Sequence, residues 1–126
     1  MMTRPFSAKG RIRSFRFAFA GIWTMLKSQH NAWIHSLASI AVVIAGIVLP
    51  ITSAEWCFLV FAIIAVWVAE ALNTAFEFLA DVASPEFHPL VKKAKDVAAG
   101  AVLISAIGAI VIAIIVFGPY LLSLRA

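Results

Sequence analysis

The hydrophobic pattern divides the chain into one mixed segment followed by three long apolar runs. Between about Ala8 and Lys27, apolar residues recur at spacings of three and four: Ile12, Phe15, Phe19, Ile22 and Leu26. Arg11, Arg13 and Arg16 stand between them, and Phe17 and Trp23 add aromatic weight. That periodicity predicts an amphipathic helix over about 8–27, lying in a membrane interface with its basic side on phosphates and its aromatic side in acyl chains. A helix docked on a soluble partner is the alternative. The apolar runs cover about 32–51, 56–80 and 97–122, each matching the ~20 residues that cross a bilayer. They predict three transmembrane helices.

The punctuation between these runs is short. SQHNAWIH (28–35) is a polar break before the first run; its two histidines, His30 and His35, share a helical face poorly, which argues against a zinc site. Pro50 closes the first run, and Thr52, Ser53 and Glu55 form a turn without lysine or arginine. VASPEFHPL (82–90) joins the second run to the third, with Pro85 and Pro89 bracketing Glu86 and His88. Lys92, Lys93, Lys95 and Asp96 then stand at the mouth of the third run. Small residues follow (Ala98, Ala99, Gly100, Ala101, Ser105, Ala106, Gly108), a pattern that allows close helix approach.

One stretch breaks the apolar logic. In EALNTAFEFLAD (70–81), Glu70, Asn73, Thr74, Glu77 and Asp81 fall within roughly 60° of one line on a helix. Ala71, Leu72, Ala75, Phe76, Phe78, Leu79 and Ala80 cover the other side. Carboxylates at membrane depth are costly, so two on one face point to a functional site.

Composition sets the class. Of 126 residues, 63% are hydrophobic and only 13% charged, and the mean hydropathy is +1.02, outside the range of soluble domains. The expectation is a single all-α membrane domain over 1–126, with three spans as the most its length can hold. Three short helices enclose little, so a homo-oligomer is expected. The net charge of +4 arises mainly at the N-terminus, where residues 1 to 29 carry Arg4, Lys9, Arg11, Arg13, Arg16 and Lys27 and no acid. In so apolar a chain that charge suits anionic lipid rather than nucleic acid. Cys57 stands alone, excluding an internal disulfide, and the basic start lacks the features of a cleavable signal peptide. Basic residues precede the first run and follow the second, which predicts a cytoplasmic N-terminus and 82–96 loop and an outer C-terminus. The polar stripe then opens to the cytoplasm, the side that holds ATP.

The stripe and its neighbours suggest a chemistry. Glu77, with Asn73 one turn away, offers the hard oxygens that suit Mg²⁺ beside substrate phosphates. Lys95 can neutralise phosphate oxygens as a mobile point charge. Glu70, two turns deeper, lies where a lipid headgroup hydroxyl would rest and can take its proton. Phosphoryl transfer needs little more than alignment, charge neutralisation and one base. Neither GxxxxGK[ST] nor GxGxxG occurs, and the glycines at 10, 21, 46, 100, 108 and 118 are scattered. From the residues alone, a lipid-directed enzyme, a proton-coupled transporter and a purely structural acid pair all remain open.

EALNTAFEFLAD, followed by SPEFHPLVKKAKDVAAGAVL, resembles the signature of the small bacterial diacylglycerol kinase and undecaprenol kinase family: E-x-x-N-[ST]-A-x-E-x-x-x-D, a loop, E-[YF]-H, then A-K-D. The matching positions are Glu70, Asn73, Thr74, Ala75, Glu77, Asp81, Glu86, Phe87, His88, Ala94, Lys95 and Asp96. SFRFAFAGIW (14–23) and the N-x-x-I-H of Asn31, Ile34 and His35 are also similar to the family's N-terminal region.

The resemblance implies a homotrimeric, three-span lipid kinase of the bacterial inner membrane, using Mg-ATP at sites shared between subunits. It implies Glu70 as catalytic base, Glu77 and Gln29 at the metal, and Asn73 and Asp81 ordering the site. Phe17, Gln29, Glu77, Glu86, His88, Lys95 and Asp96 would hold the nucleotide, and Glu70, Trp23 and Ala99 the lipid acceptor, diacylglycerol or undecaprenol. One position departs: the family usually has glutamate where this chain has Gln29, so an oxygen ligand is kept but its charge is lost. That departure motivates a second expectation, a catalytically weakened member with a structural or regulatory membrane role. A transporter comes third, since three spans leave little room for alternating access.

Overall fold

The computed structural model describes residues 5–125, and among these the chain forms four helices in sequence. They are α1 (Ala8–Ser28), α2 (His30–Val48), α3 (Ser53–Ala83) and α4 (Pro89–Ser123). Local chemistry sets their ends. The Ser7 hydroxyl accepts from Gly10 N–H at 3.2 Å to open α1. Gln29 alone leaves the helical region, with φ −117° and ψ 123°, so the polar break predicted over 28–35 is a one-residue joint. Helix α2 stops at Val48, short of the predicted 51, because the residue before Pro50 is driven to extended backbone. Thr52 and Glu55 form a reciprocal capping box at the start of α3. At α4, Pro89 occupies the first turn and the His88 ring accepts from Leu90 N–H. Lys92, Lys93, Lys95 and Asp96 are therefore helical, within the first two turns of α4.

Three helices, α2, α3 and α4, are long and apolar enough to cross a membrane. Helices α3 and α4 have 31 and 35 residues. At about 1.5 Å per residue each exceeds the ~30 Å hydrocarbon core by several turns. That excess leaves room for polar residues at the helix ends.

Helix α3 is the axis of the molecule. It packs along α4 on one side, while α2 and the end of α1 lie against it elsewhere. Its buried positions (Leu59, Ala62, Val66, Glu70, Asn73, Thr74, Ala80) recur at helical spacing on one face. The face is apolar at first and turns polar at Glu70 without changing direction. Elsewhere burial is sparse: Met25 on α1, Ala32 and Gly46 on α2, Val102 and Val116 on α4. Large apolar side chains such as Phe61, Leu103 and Ile104 point outward.

Helices α2 and α3 are fastened at several levels. Near their joining turn, a Cβ at Gly46 would meet the Trp56 ring at 2.6 and 2.7 Å, so only glycine permits this approach. Farther along, Trp67 Nε1 donates to Ser39 Oγ at 3.0 Å. At the end beside that turn, the Tyr120 hydroxyl of α4 donates to Glu55 Oε1 at 2.6 Å, closing the bundle. We expect Gly46→Val to force Trp56 off α2 and to cost about 1–3 kcal/mol. Unfolding in micelles checks this, and adding Trp56→Leu should recover part of the loss.

Candidate active site

Glu70 has no exposed surface, and Asn73 and Thr74 are 5% and 4% exposed. The face that buries them begins in an ordinary apolar seam, so packing rather than local propensity sets their depth. The Thr74 hydroxyl donates to the Glu70 carbonyl at 2.8 Å, satisfying itself within the helix. The Glu70 carboxylate meets α2: His35 Nε2 lies 3.2 Å from Oε2. Its other oxygen, Oε1, is buried without a partner.

Two turns along, Glu77 is half-buried and engaged on both oxygens. Gln29 Nε2 donates to Oε2 at 2.9 Å, and Asn73 Nδ2 to Oε1 at 3.4 Å. Gln29 reaches this point because it is the joint between α1 and α2, fixed by its own N–H bonding to the Met25 carbonyl at 3.2 Å. Asn73 Oδ1 is a second buried atom without a partner. Toward the end of the stripe, Lys95 Nζ donates to Asp81 Oδ1 at 2.7 Å. That hydrogen bond holds the Lys95 ammonium above its usual range, against some desolvation. Lys92 pairs with Asp96 at 2.7 Å, both side chains largely exposed.

The structure thus brings Glu70, Asn73, Glu77 and Gln29 into one line and sets the Lys95–Asp81 pair on the adjoining helix ends. Phe17, Trp23, Glu86, His88, Asp96 and Ala99 are exposed and make no polar contact with that line among the described residues. His88 serves as the cap of α4, and the Trp23 ring lies 5.6 Å from the Lys27 ammonium. His35, assigned no role from the sequence, lies against Glu70. The available signal was an ionisable side chain at the start of an apolar run, which is expensive unless partnered.

Among the described residues no three His, Cys, Asp or Glu side chains cluster as a metal cage. The donor set still fits Mg²⁺, which is held by one or two carboxylates plus substrate phosphates. Glu77 would supply the carboxylate, and Gln29 and Asn73, whose amide nitrogens meet it, each carry a neutral oxygen that could join it. The Asn73 Oδ1 atom is buried and without a partner.

Fold and site together define an all-helical membrane protein with a line of acids that starts buried at Glu70 and becomes exposed toward one end of its bundle. A family model described as prokaryotic diacylglycerol kinase matches residues 16–117. The undecaprenol kinase of Bacillus subtilis is 37% identical over 109 residues, covering 86% of this chain and 89% of that protein. The diacylglycerol kinase of Synechocystis sp. is 38% identical over 112 residues, covering 88% and 64%. That of Helicobacter pylori strain 26695 is 29% identical over 126 residues, covering 94% and 95%. The chain belongs to the prokaryotic diacylglycerol kinase family and is a lipid kinase.

The Gln29–Glu77 contact makes a sharp expectation. Gln29→Glu would set two carboxylates about 3 Å apart, replacing a charge-assisted hydrogen bond with repulsion. In chelator the variant should lose about 1–3 kcal/mol of stability and regain it in millimolar Mg²⁺. Thermal unfolding in micelles, with and without the cation, checks this; the wild type should respond less.

Proposed function

We propose that this kinase transfers the γ-phosphoryl group of Mg-ATP to the hydroxyl of a membrane lipid, undecaprenol or diacylglycerol. The observation that carries the reading is the buried Glu70 carboxylate with a free Oε1, on the same helix face as Glu77 and about 10 Å deeper along the axis. A lipid hydroxyl arriving from the membrane side meets the first carboxylate, and a nucleotide arriving from water meets the second. The names of the similar proteins support both acceptors. Both present a primary hydroxyl, and the residues of the line face that shared group.

The chain's own groups divide the work. Glu70 Oε1 takes the proton as the hydroxyl oxygen attacks phosphorus. Glu77, with the amide oxygens of Gln29 and Asn73, would hold Mg²⁺ against the phosphates. When bound, the cation neutralises phosphate charge and orients the transferring group. Lys95 leaves Asp81 to meet phosphate oxygens, and Asp81 returns it afterwards. Glu86, His88 and Asp96, with Phe17, border the nucleotide's path, and Trp23 and Ala99 border the lipid's.

The setting we propose is the bacterial inner membrane, with the N-terminus and the α3–α4 loop in the cytoplasm and the C-terminus outside. Helix α1 then lies in the interface, where its exposed Phe15, Phe19 and Trp23 enter acyl chains beside Arg11, Arg13 and Arg16. A homotrimer covers part of the outward apolar surface and completes each site with a neighbour's helices. A second reading, a weakened member with a structural or regulatory role, draws on Gln29, whose amide donates to Glu77 and brings no negative charge to a cation.

Transfer from labelled ATP to a panel of lipid alcohols, with purified protein in micelles, tests the proposal. Glu70→Gln should lower kcat about 10²–10⁴-fold; activity equal to wild type would remove the base assignment. Wild type inert toward every lipid, with Gln29→Glu active, would favour the second reading. Glu77→Ala should instead require about 10–100-fold more Mg²⁺ for half-maximal rate. A normal metal titration in that variant would count against Glu77 as ligand.

A further inference from the structure

A base works only if its reactive oxygen is aimed, and a carboxylate can rotate. Glu70 lies wholly inside the fold, with Oε2 against His35 and Oε1 against no partner. To act as a base Glu70 must be ionised and can then only accept, which calls for the His35 tautomer that donates its Nε2–H across that 3.2 Å. The imidazole is itself braced. Its side chain is 13% exposed, and Trp67 meets it edge-on at 6.0 Å between centroids and 72° between planes. The Trp67 indole is pinned in turn by its hydrogen bond to Ser39, one turn beyond His35 on α2. Ser39, Trp67, His35 and Glu70 thus form a chain of contacts that crosses between α2 and α3 three times. Nothing in it needs metal or nucleotide to be in place.

We propose that His35 is the positioning residue of the Glu70 base. Its Nε2–H holds Oε2 and stops rotation of the carboxylate, leaving Oε1 as the one oxygen free to take the acceptor proton. In the transfer the O–H bond of the lipid alcohol breaks and its proton passes to Oε1. The alcohol oxygen forms the new bond to the γ-phosphorus of ATP, and the bond from that phosphorus to the bridging oxygen breaks so that ADP leaves with the electron pair. His35 touches neither substrate and acts through Glu70. The inference rests on the reading of Glu70 as base.

The test compares kcat and KM for Mg-ATP and for a short-chain diacylglycerol or a polyprenol, using the full chain in micelles. His35→Ala should lower kcat about 10–100-fold with each KM within about threefold of wild type. His35→Gln keeps an N–H donor of similar reach and should recover most of the rate. His35→Ala added to Glu70→Gln should cost nothing further, because the group being aimed has gone. A wild-type kcat in His35→Ala, a loss confined to KM, or a glutamine variant no better than alanine would each overturn the proposal. Should His35→Ala fail to fold, Ser39→Ala loosens the Trp67 brace alone; it should lower kcat severalfold at unchanged KM, and an unchanged kcat there overturns the proposal too. Full activity in Glu70→Gln sinks the base reading itself, whereas an inactive Glu70→Gln beside a fully active His35→Ala removes only the role of His35.

Discussion

A carboxylate with no exposed surface, in a helix long enough to cross a membrane, is the constraint the rest of this structure answers. Removing a charge from water costs several kcal/mol even after the protein relaxes, and lipid offers no donor to offset it. Glu70 is tolerable because α2 brings His35 to one of its oxygens. Helix α2 must therefore lie on α3 at one height and in one rotation. The contacts Gly46 to Trp56, Ser39 to Trp67, His35 to Glu70 and Gln29 to Glu77 run down the two helices in strict antiparallel order. Each fixes the register that the next requires. The apolar end relies on close approach, and the other end on hydrogen bonds.

The same face of α3 serves packing and chemistry. Leu59, Ala62 and Val66 form a dry seam, and Glu70, Asn73 and Thr74 continue it with groups that are dry for the same geometric reason. A dry carboxylate interacts more strongly with an approaching proton donor or cation than a hydrated one. At the watery end the opposite holds. The Lys95–Asp81 and Lys92–Asp96 pairs are exposed, so they add little stability and exchange partners readily. The bundle thus grades from a buried acid on α3 to exposed charged pairs where α3 and α4 join.

Much of this was legible in the chain. The first two apolar runs, the break near Gln29 and the turn at Pro50 correspond to helix ends within a few residues, because bilayer length and proline geometry act locally. Helix α4, in contrast, begins well before the third run, at Pro89. The stripe from Glu70 to Asp81 was legible too, since helical periodicity alone puts those side chains on one line. Less legible were the caps. Thr52 with Glu55 extends α3 beyond the apolar run, and Pro89 with His88 draws the lysines into α4. His35 was visible only as a polar residue near a break.

The sequence by itself determined the class: an all-helical membrane domain, its family, and a line of acids on one helix face. Hydropathy, periodicity and motif spacing are properties of neighbours along the chain, and they need no knowledge of what lies across the bundle. Only the tertiary structure decided which acid is dry, which oxygen is held and which is free. It set Gln29 against Glu77 and His35 against Glu70. Those pairings join residues 48 and 35 positions apart. They follow from the height at which α2 docks on α3, which no local pattern encodes.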